Sequence, residues 1–371
     1  MHVRCFHSLN DLEPYRDAWE TLAAGNVFRS WTWQSTWWRH YGASCSERSL
    51  NVQLAFADAS QSPESLRAIL PVYSETSWAH GRVLRLLGDG EVCSDHLGLL
   101  TSPADGADAA AAIVDAMIHG EPWDLLDLTA IDEHDAAAFH LVDEFAACGF
   151  STKRHLADRC WVIDLPSTWE EYLALQSKSH RKQLRQLERR VLDSDRATWH
   201  TVTSIDEFGD AWSTLVDLHQ RRRQQLGEPG CFASAAWAAF HWEVAQRLLA
   251  RGGLRLSTLH LDGRPLAAEY HLAGLDTTWA YQGGLDPTRL ADEPGQLSTL
   301  ASIRRAIEDR QTHFDFLRGD EPYKAHWRAV PRQTYRLTAV PNRLWPRVRQ
   351  SAWSSARRVG GAAKQLTHLF S

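Results

Sequence analysis

The chain has no paired-cysteine motif, no metal-binding signature and no long apolar run. Its six cysteines, at positions 5, 45, 93, 148, 160 and 231, are scattered, and none forms C-x-x-C. Neither a zinc knuckle nor a thioredoxin-type redox centre is expected. The pattern fits buried free thiols in a reducing compartment. The 18 histidines include no H-E-x-x-H, and no metal is expected. No segment approaches the roughly 18 apolar residues of a transmembrane helix. The opening stretch Met1 to Ser8 lacks an apolar core, which predicts no secretory leader and a cytoplasmic protein. No G-x-S-x-G is present, so a covalent serine intermediate is disfavoured. Positive charge is short as well. A formal net charge of −6 excludes nucleic-acid binding by bulk electrostatics, and any polyanion site has to be a local patch.

What is present suits a globular α/β protein. Over 371 residues the hydrophobic share is 44% and the charged share 23%, and this length favours two domains. Seventeen residues are tryptophan. Trp33, Trp37 and Tyr41 recur at helical spacing and read as core packing along one face of a helix over Thr32–Tyr41, with an aromatic platform that stacks sugars or bases as the alternative. In the first half, helices are expected over Asp11–Ala24, Ala107–His119 and His134–Cys148. Strands are expected over Asn51–Ala57, Arg67–Tyr73, Arg82–Leu87, His96–Leu100 and Trp123–Leu128. A strand over Arg159–Leu165 closes this half, and the second half begins after it. Helices follow over Trp169–Leu192, broken near Ser177–Ser179, and over Ile205–Gln225 and Ser234–Ala250. Leu254–Leu261 and Pro265–Ala273 read as a hairpin around Asp262-Gly263, a strong turn signal. Thr277–Gly283, a helix from Gln296 to Arg310, Phe314–Leu317 and Tyr335–Val340 complete the order. Helices, a β-meander, a helix and further strands thus occur in both halves. That order predicts mixed, largely antiparallel sheets flanked by helices. The expected domains are residues 1–160 and 161–340, with a tail over 341–371.

Four segments carry chemistry. His313 to Lys324 starts as a buried strand, broken by Asp315, turns at Gly319 and ends in Asp320, Glu321, Tyr323 and Lys324. A strand end that presents ionisable groups is a rigid support for a site; a polar loop with an ordinary ion pair would read the same way. Lys178, Arg181, Lys182, Arg185 and Arg189 share one helix face and suit phosphates; a solvated helix face is the alternative. Alternation places Glu269 and His271 on one strand face, as a general base and its neighbour or as the polar side of a sheet. The adjacent strand brings Tyr281. The tail after Val340 holds Arg343, Arg347, Arg349, Arg357, Arg358 and Lys364 with Trp345 and Trp353 and no acid. Such a segment fits either an anionic membrane surface, here the inner face of the cell membrane, or a disordered tail.

The stretch around Asp315–Lys324 resembles the CelD-like branch of the GNAT acyltransferase superfamily, which is related to the FemAB aminoacyltransferases. The resemblance extends through Ser177-Lys178-Ser179-His180-Arg181-Lys182, Leu218-His219-Gln220-Arg221, Leu261-Asp262-Gly263-Arg264-Pro265 and Gln282-Gly283-Gly284-Leu285-Asp286-Pro287. It implies two tandem GNAT-like domains. It also implies an enzyme that moves an acyl or aminoacyl group from an activated donor, acetyl-CoA or another acyl-CoA, to an amine or hydroxyl by direct attack in a ternary complex. The implied acceptor is a cell-envelope or exopolysaccharide precursor. By the same resemblance, backbone amides of Gly295, Gln296, Leu297 and Ser298 hold the donor's pyrophosphate, and Lys324, after Tyr323, meets the charge that develops on the donor. Asp315 and Glu269 complete the catalytic candidates. Tyr281, Asp320 and Glu321 join Lys178, Arg181, Lys182 and Arg185 as substrate-binding candidates. Only Gly295 fits the usual Gln/Arg-x-x-Gly-x-Gly/Ala pattern, and Asp292 and Glu293 stand directly before it. This departure leaves open an aminoacyl-tRNA donor, and also a catalytically inactive GNAT-like protein that binds a partner in polysaccharide synthesis.

Overall fold

The computed structural model describes residues 1–77, 79–343 and 346, so all but the first few residues of the expected basic tail lie outside the described residues. The chain divides into two compact units. One comprises Met1–Ala23, Trp37–Ala157 and the chain from Thr334 onward; the other comprises Ala24–Thr36 and Asp158–Gln333.

In the first unit, four antiparallel strands run in the order His2–Phe6, Val52–Phe56, Leu66–Leu70, Leu100–Thr101. Every residue of Val52–Phe56 is buried, as suits an inner strand with both faces covered. Arg48–Leu50, Val72–Ser77 and Gly81–Leu86 pair antiparallel in turn, and Gly81–Leu86 pairs in parallel with Leu125–Asp132. The helix Gly106–His119 lies in the crossover between those parallel strands, as a parallel pair requires.

The second unit repeats this scheme. Strand β1 (Ser151–Asp164) enters it at Asp158. Helix α1 (Lys178–Leu187) follows, then a strand at Ala197–Thr201. Helices α2 (Ile205–Gln225) and α3 (Ala235–Leu249) come next. Strands β2 (Leu254–Leu261), β3 (Arg264–Ala273) and β4 (Thr277–Leu285) form an antiparallel meander. Helix α4 (Pro294–Glu308), strand β5 (His313–Arg318) and the short helix α5 (Pro322–His326) complete it. Strand β5 pairs in parallel with β4 and antiparallel with β1. Helices α2 and α3 cover the face that carries Tyr270, where Trp212 meets the Tyr270 ring at 5.4 Å. The other face holds a core of Leu184, Leu187, Leu259, Leu297, Leu300 and Phe314. Both units therefore show the expected mixed α/β architecture, with mainly antiparallel strands flanked by helices.

Several boundaries differ from the sequence expectation. The helix expected over Asp11–Ala24 is three short pieces, because Pro14 interrupts it with a 3-10 turn at Glu13–Tyr15. The helix expected over Thr32–Tyr41 is α-helical over Trp31–Trp37 and continues as a π-turn over Trp38–Gly42. There Gly42 leaves room for the Trp38 ring, which a Cβ would meet at 2.0 Å. The strands at His2–Phe6 and Ala197–Thr201 are only five residues long and were not expected. Strand β1 begins eight residues earlier than Arg159, in a stretch that is mostly exposed and so carries no period-2 apolar signal. The residues expected as a loop at Tyr323-Lys324 form α5.

Candidate active site

Strands β4 and β5 pair at only three positions, Thr277 with His313, Thr278 with Phe314 and Trp279 with Asp315. Beyond them the two parallel strands are no longer paired, and a cavity of about 820 Å³ opens at the divergence. Tyr281, Gln282 and Gly283 line it from β4, Phe314 and Phe316 from β5, and Glu269 and His271 from β3. The register between β3 and β4 shifts here. Tyr270 faces Gln282 and His271 faces Ala280, so Tyr281 is the extra residue of a β-bulge, a distortion often found beside active sites.

Glu269 and His271 stand together on the cavity wall. Glu269 Oε2 lies 3.3 Å from His271 Nε2, and their side chains keep 14% and 7% of their surface exposed. The carboxylate has room because residue 283 is glycine: a Cβ there would stand 2.6 Å from Glu269 Oε2. Tyr323 also lines the cavity and its ring meets Phe316 edge-on at 5.8 Å. Tyr323 is 48% exposed, and its partial burial, with the negative charges of Glu321 and Glu269, raises its phenol above the ordinary value. The phenol therefore keeps its proton, as a hydrogen-bond donor, across the neutral range. Together these groups can remove a proton from an attacking amine or hydroxyl and offer one to a departing group.

Lys324 lines the cavity but is 2% exposed. Its Nζ donates to the carbonyls of Leu317 at 3.2 Å, Arg318 at 2.9 Å and Gly319 at 3.0 Å, and sits 2.9 Å from Glu321 Oε2. An ammonium has three protons, and four acceptors surround them. The turn it holds is unusual. Leu317 and Gly319 both have positive φ, 59° and 112°, and the Leu317 amide donates to Asp315 Oδ1 at 2.7 Å. A leucine in the left-handed region is strained, and the lysine cage with the Asp315 carboxylate holds it there. For Glu321, partial burial raises the pKa, but the hydrogen bond and charge of Lys324 outweigh it and the group sits below its ordinary value.

The other candidates divide. Gly295, Gln296 and Ser298 line the cavity at the start of α4, whereas Leu297 is fully buried in the core. The amides of Gln296 and Leu297 both donate to the Glu293 carbonyl at 3.1 Å, so two of the four amides expected to bind pyrophosphate already have partners. Asp315 is buried and does not line the cavity. Asp320 is turned to Arg159 at 2.7 Å and to the Trp161 indole at 3.0 Å. The Arg159 hydrogen bond, then that of Trp161, hold its carboxyl below the ordinary range. Lys178, Arg181, Lys182, Arg185 and Arg189 line a separate groove of about 570 Å³ with Glu170 and Glu188. Arg185 pairs with Glu170 at 2.6 Å. Gln183 on α1 reaches Gln296 on α4 at 2.9 Å.

Some wall residues escaped the sequence reading. Arg222 and Arg223 reach the cavity from α2 and Arg318 from β5; the run Arg221-Arg222-Arg223 was the available signal. Arg223 pairs with Glu228 at 2.7 Å, and Arg222 donates to the neutral Gln225. His219 is also on the wall, held below its ordinary pKa chiefly by burial and further by Arg223. Its Nε2 lies 3.6 Å from Cys231 Sγ. Burial pushes that thiol up to about 12, against a hydrogen bond from Gln282, so this Cys–His pair lacks the thiolate a nucleophile needs.

Comparison with known proteins agrees with this geometry. Residues 178–325 match the family described as the acetyltransferase (GNAT) domain. No curated protein matches the sequence. Among solved structures, FemX is similar at 11% identity over 90% of this chain and 97% of its own, with a TM-score of 0.62. The C-terminal DUF2156 domain of an Agrobacterium fabrum protein assigned as a lysylphosphatidylglycerol synthetase is similar at 10% identity, over 94% of this chain and 96% of its own, with a TM-score of 0.54. L-PGS from Bacillus licheniformis is similar at 12% identity over 92% and 95% of the two chains, also at 0.54. At such identities the likeness is one of fold. Residues 178–325 thus constitute an acyltransferase domain of the GNAT superfamily, carried in a chain that shares its fold with FemX.

Proposed function

We propose that the second unit transfers an acyl or aminoacyl group from an activated donor to an amine or hydroxyl of a cell-envelope precursor. Attack is direct, in a ternary complex. The observation that carries this reading is the Glu269–His271 pair on the wall of a cavity at the divergence of two parallel strands. Glu269 takes the proton from the attacking nitrogen or oxygen, and His271 holds its carboxylate in place. Tyr323, kept protonated, gives a proton to the leaving group as the carbon–sulfur or carbon–oxygen bond of the donor breaks.

An acyl-CoA is the proposed donor. With the Gln296 and Leu297 amides engaged, its phosphates lie against Arg222 and Arg223, and the acyl end reaches the bulge at Tyr281. The basic groove of α1 takes a further anionic part of donor or acceptor. The name of one similar structure, a lysylphosphatidylglycerol synthetase, points to an aminoacyl group placed on a phospholipid, which supports an envelope component as acceptor; an exopolysaccharide precursor is the other candidate. The basic tail would hold the enzyme at the inner face of the cell membrane.

The test is thiol release from acetyl-CoA and longer acyl-CoAs, measured against amine- and hydroxyl-bearing acceptors. Acceptor-dependent release that vanishes in Glu269→Gln supports the reading. Saturable acyl-CoA binding with no release for any acceptor would favour a binding protein instead.

A further inference from the structure

Helix α1 and the helix before it, Trp169–Leu175, border the groove of about 570 Å³, which shares no lining residue with the acyl-transfer cavity. Lys178, Arg181, Lys182, Arg185 and Arg189 line it, against Glu170 and Glu188. Both acids are already engaged. Glu170 holds Arg185 at 2.6 Å, and Glu188 holds Arg304 of α4 at 2.9 Å. Among the described residues, Lys178, Arg181 and Lys182 have no side-chain partner, and the Arg189 guanidinium donates to a neutral group, the Arg185 carbonyl, at 3.2 Å. By contrast, Arg196, Arg247 and Arg255 each meet an acid, Asp262, Glu243 and Asp309, at 2.7–2.8 Å.

The row of cations works against the helix that carries it. Lys178 and Lys182, Arg181 and Arg185, and Arg185 and Arg189 stand four residues apart, and like charges at that spacing destabilise a helix. The fold uses the opposite side of α1. Leu184 and Leu187 lie in the core, and Gln183 reaches Gln296 at the cavity. A local rule broken without a gain to the fold marks a function.

The shape of the row selects its partner. From Lys178 to Arg189 it runs about 16 Å, at about 1.5 Å per residue, so it matches several phosphates side by side and not one. No aromatic ring lines the groove, so it lacks the platform on which single-stranded nucleic acid stacks its bases. Leu175, three residues before Lys178, ends the other helix of the groove and is 54% exposed. An exposed leucine beside a row of cations suits the boundary between headgroups and acyl chains of an anionic bilayer.

We propose that the outer face of α1 docks on an anionic phospholipid surface. Lys178, Arg181, Lys182 and Arg189 meet the headgroup phosphates, and Leu175 enters among the acyl chains beneath them. The use of this docking, to present an envelope lipid to the cavity, rests on the acyl-transfer reading; the docking itself does not.

The experiment is co-sedimentation of the full chain with vesicles of phosphatidylcholine, alone or mixed with phosphatidylglycerol, at several salt concentrations. The expected result is binding to the mixed vesicles that salt weakens, and none to phosphatidylcholine alone. Lys178→Gln with Lys182→Gln should weaken it by roughly 30-fold, about five-fold for each cation, and lower its salt dependence. Leu175→Ser should weaken it by roughly 3- to 10-fold and keep the salt dependence. A melting curve checks that each variant is folded. No binding to the mixed vesicles, or equal binding by the wild type and the double variant, overturns the proposal; the second result assigns the affinity to the basic tail. So does binding to duplex RNA that the double variant loses while its vesicle binding stays. Vesicle binding is measured with no acyl donor present, so its failure and that of the acyl-transfer reading are distinguishable.

Discussion

Lys324 Nζ lies 2.9 Å from Glu321 Oε2 and also donates to three successive carbonyls, Leu317, Arg318 and Gly319. The ammonium staples the turn between β5 and α5. The sequence expectation was that this cation meets the charge developing on the donor, but each of its protons has a partner within the turn. Lys324→Met should therefore lower stability by about 3 kcal/mol, as loss of one partner of a buried ion pair does, with a melting temperature lower by roughly 6–12 °C. Calorimetry of the variant measures this. A variant as stable as the wild type with turnover down about 100-fold would return the lysine to the oxyanion.

Gly283 keeps Glu269 in place. A Cβ at this position would stand 2.6 Å from Glu269 Oε2 and 3.3 Å from its Cδ. Because the obstructed group is the end of a side chain, Gly283→Ala should fold with a stability change of about 1 kcal/mol or less. Turnover should fall by about 10- to 100-fold, since a displaced base loses its alignment. Steady-state kinetics beside a melting curve checks this; unchanged kcat would show that the carboxylate position does not matter.

The first unit carries a pH-dependent contribution. Burial raises the Asp89 carboxyl from 3.8 to about 6, against the Tyr73 hydrogen bond and the charges of Arg85 and Arg48. For an acid raised in the folded state, the unfolded chain ionises first. Stability is therefore greatest below pH 4, falls between pH 4 and 6, and is level above. The drop is at most about 3 kcal/mol, from 2.2 pH units at 1.36 kcal/mol each. Asp89→Asn removes it. The difference in melting temperature between variant and wild type should grow in the variant's favour from pH 4 to pH 6.5. A difference that is constant with pH would rule out the titration of Asp89.

The α1 groove has four cations, Lys178, Arg181, Lys182 and Arg189, beside the paired Arg185. Arg181→Glu with Lys182→Glu should weaken binding of inorganic polyphosphate. It should also lower the slope of log affinity against log salt by roughly 1.5, about 0.7–0.9 for each phosphate no longer neutralised. Titration at several salt concentrations gives the slope. An unchanged slope would make the stripe a solvated helix face.

Local signals in the sequence announced much of the fold. Asp262-Gly263 marks the β2–β3 turn, and both residues have positive φ, 54° and 74°, as a two-residue hairpin turn requires. Alternation along β3 put Glu269 and His271 on one face, where they hydrogen-bond. What stayed hidden depends on contacts between distant segments or on special backbone. The Lys324 cage needs Leu317 and Gly319 in left-handed conformations that no pattern predicts. The Tyr281–His241 bond joins residues 40 positions apart on different elements. Trp33 and Trp37 read as one helix face, yet they fall in different units, since spacing reports a shared face and not which core receives it.

The most direct test is the pH profile of acyl transfer for the wild type and Glu269→Gln. The change removes the base and keeps the shape, so the fold and acyl-CoA affinity should persist while kcat falls by about 100- to 10,000-fold. The remaining rate should rise with the basicity of the acceptor amine. Wild-type turnover in Glu269→Gln, with the wild-type pH profile, would contradict general-base catalysis by Glu269 and with it the central claim.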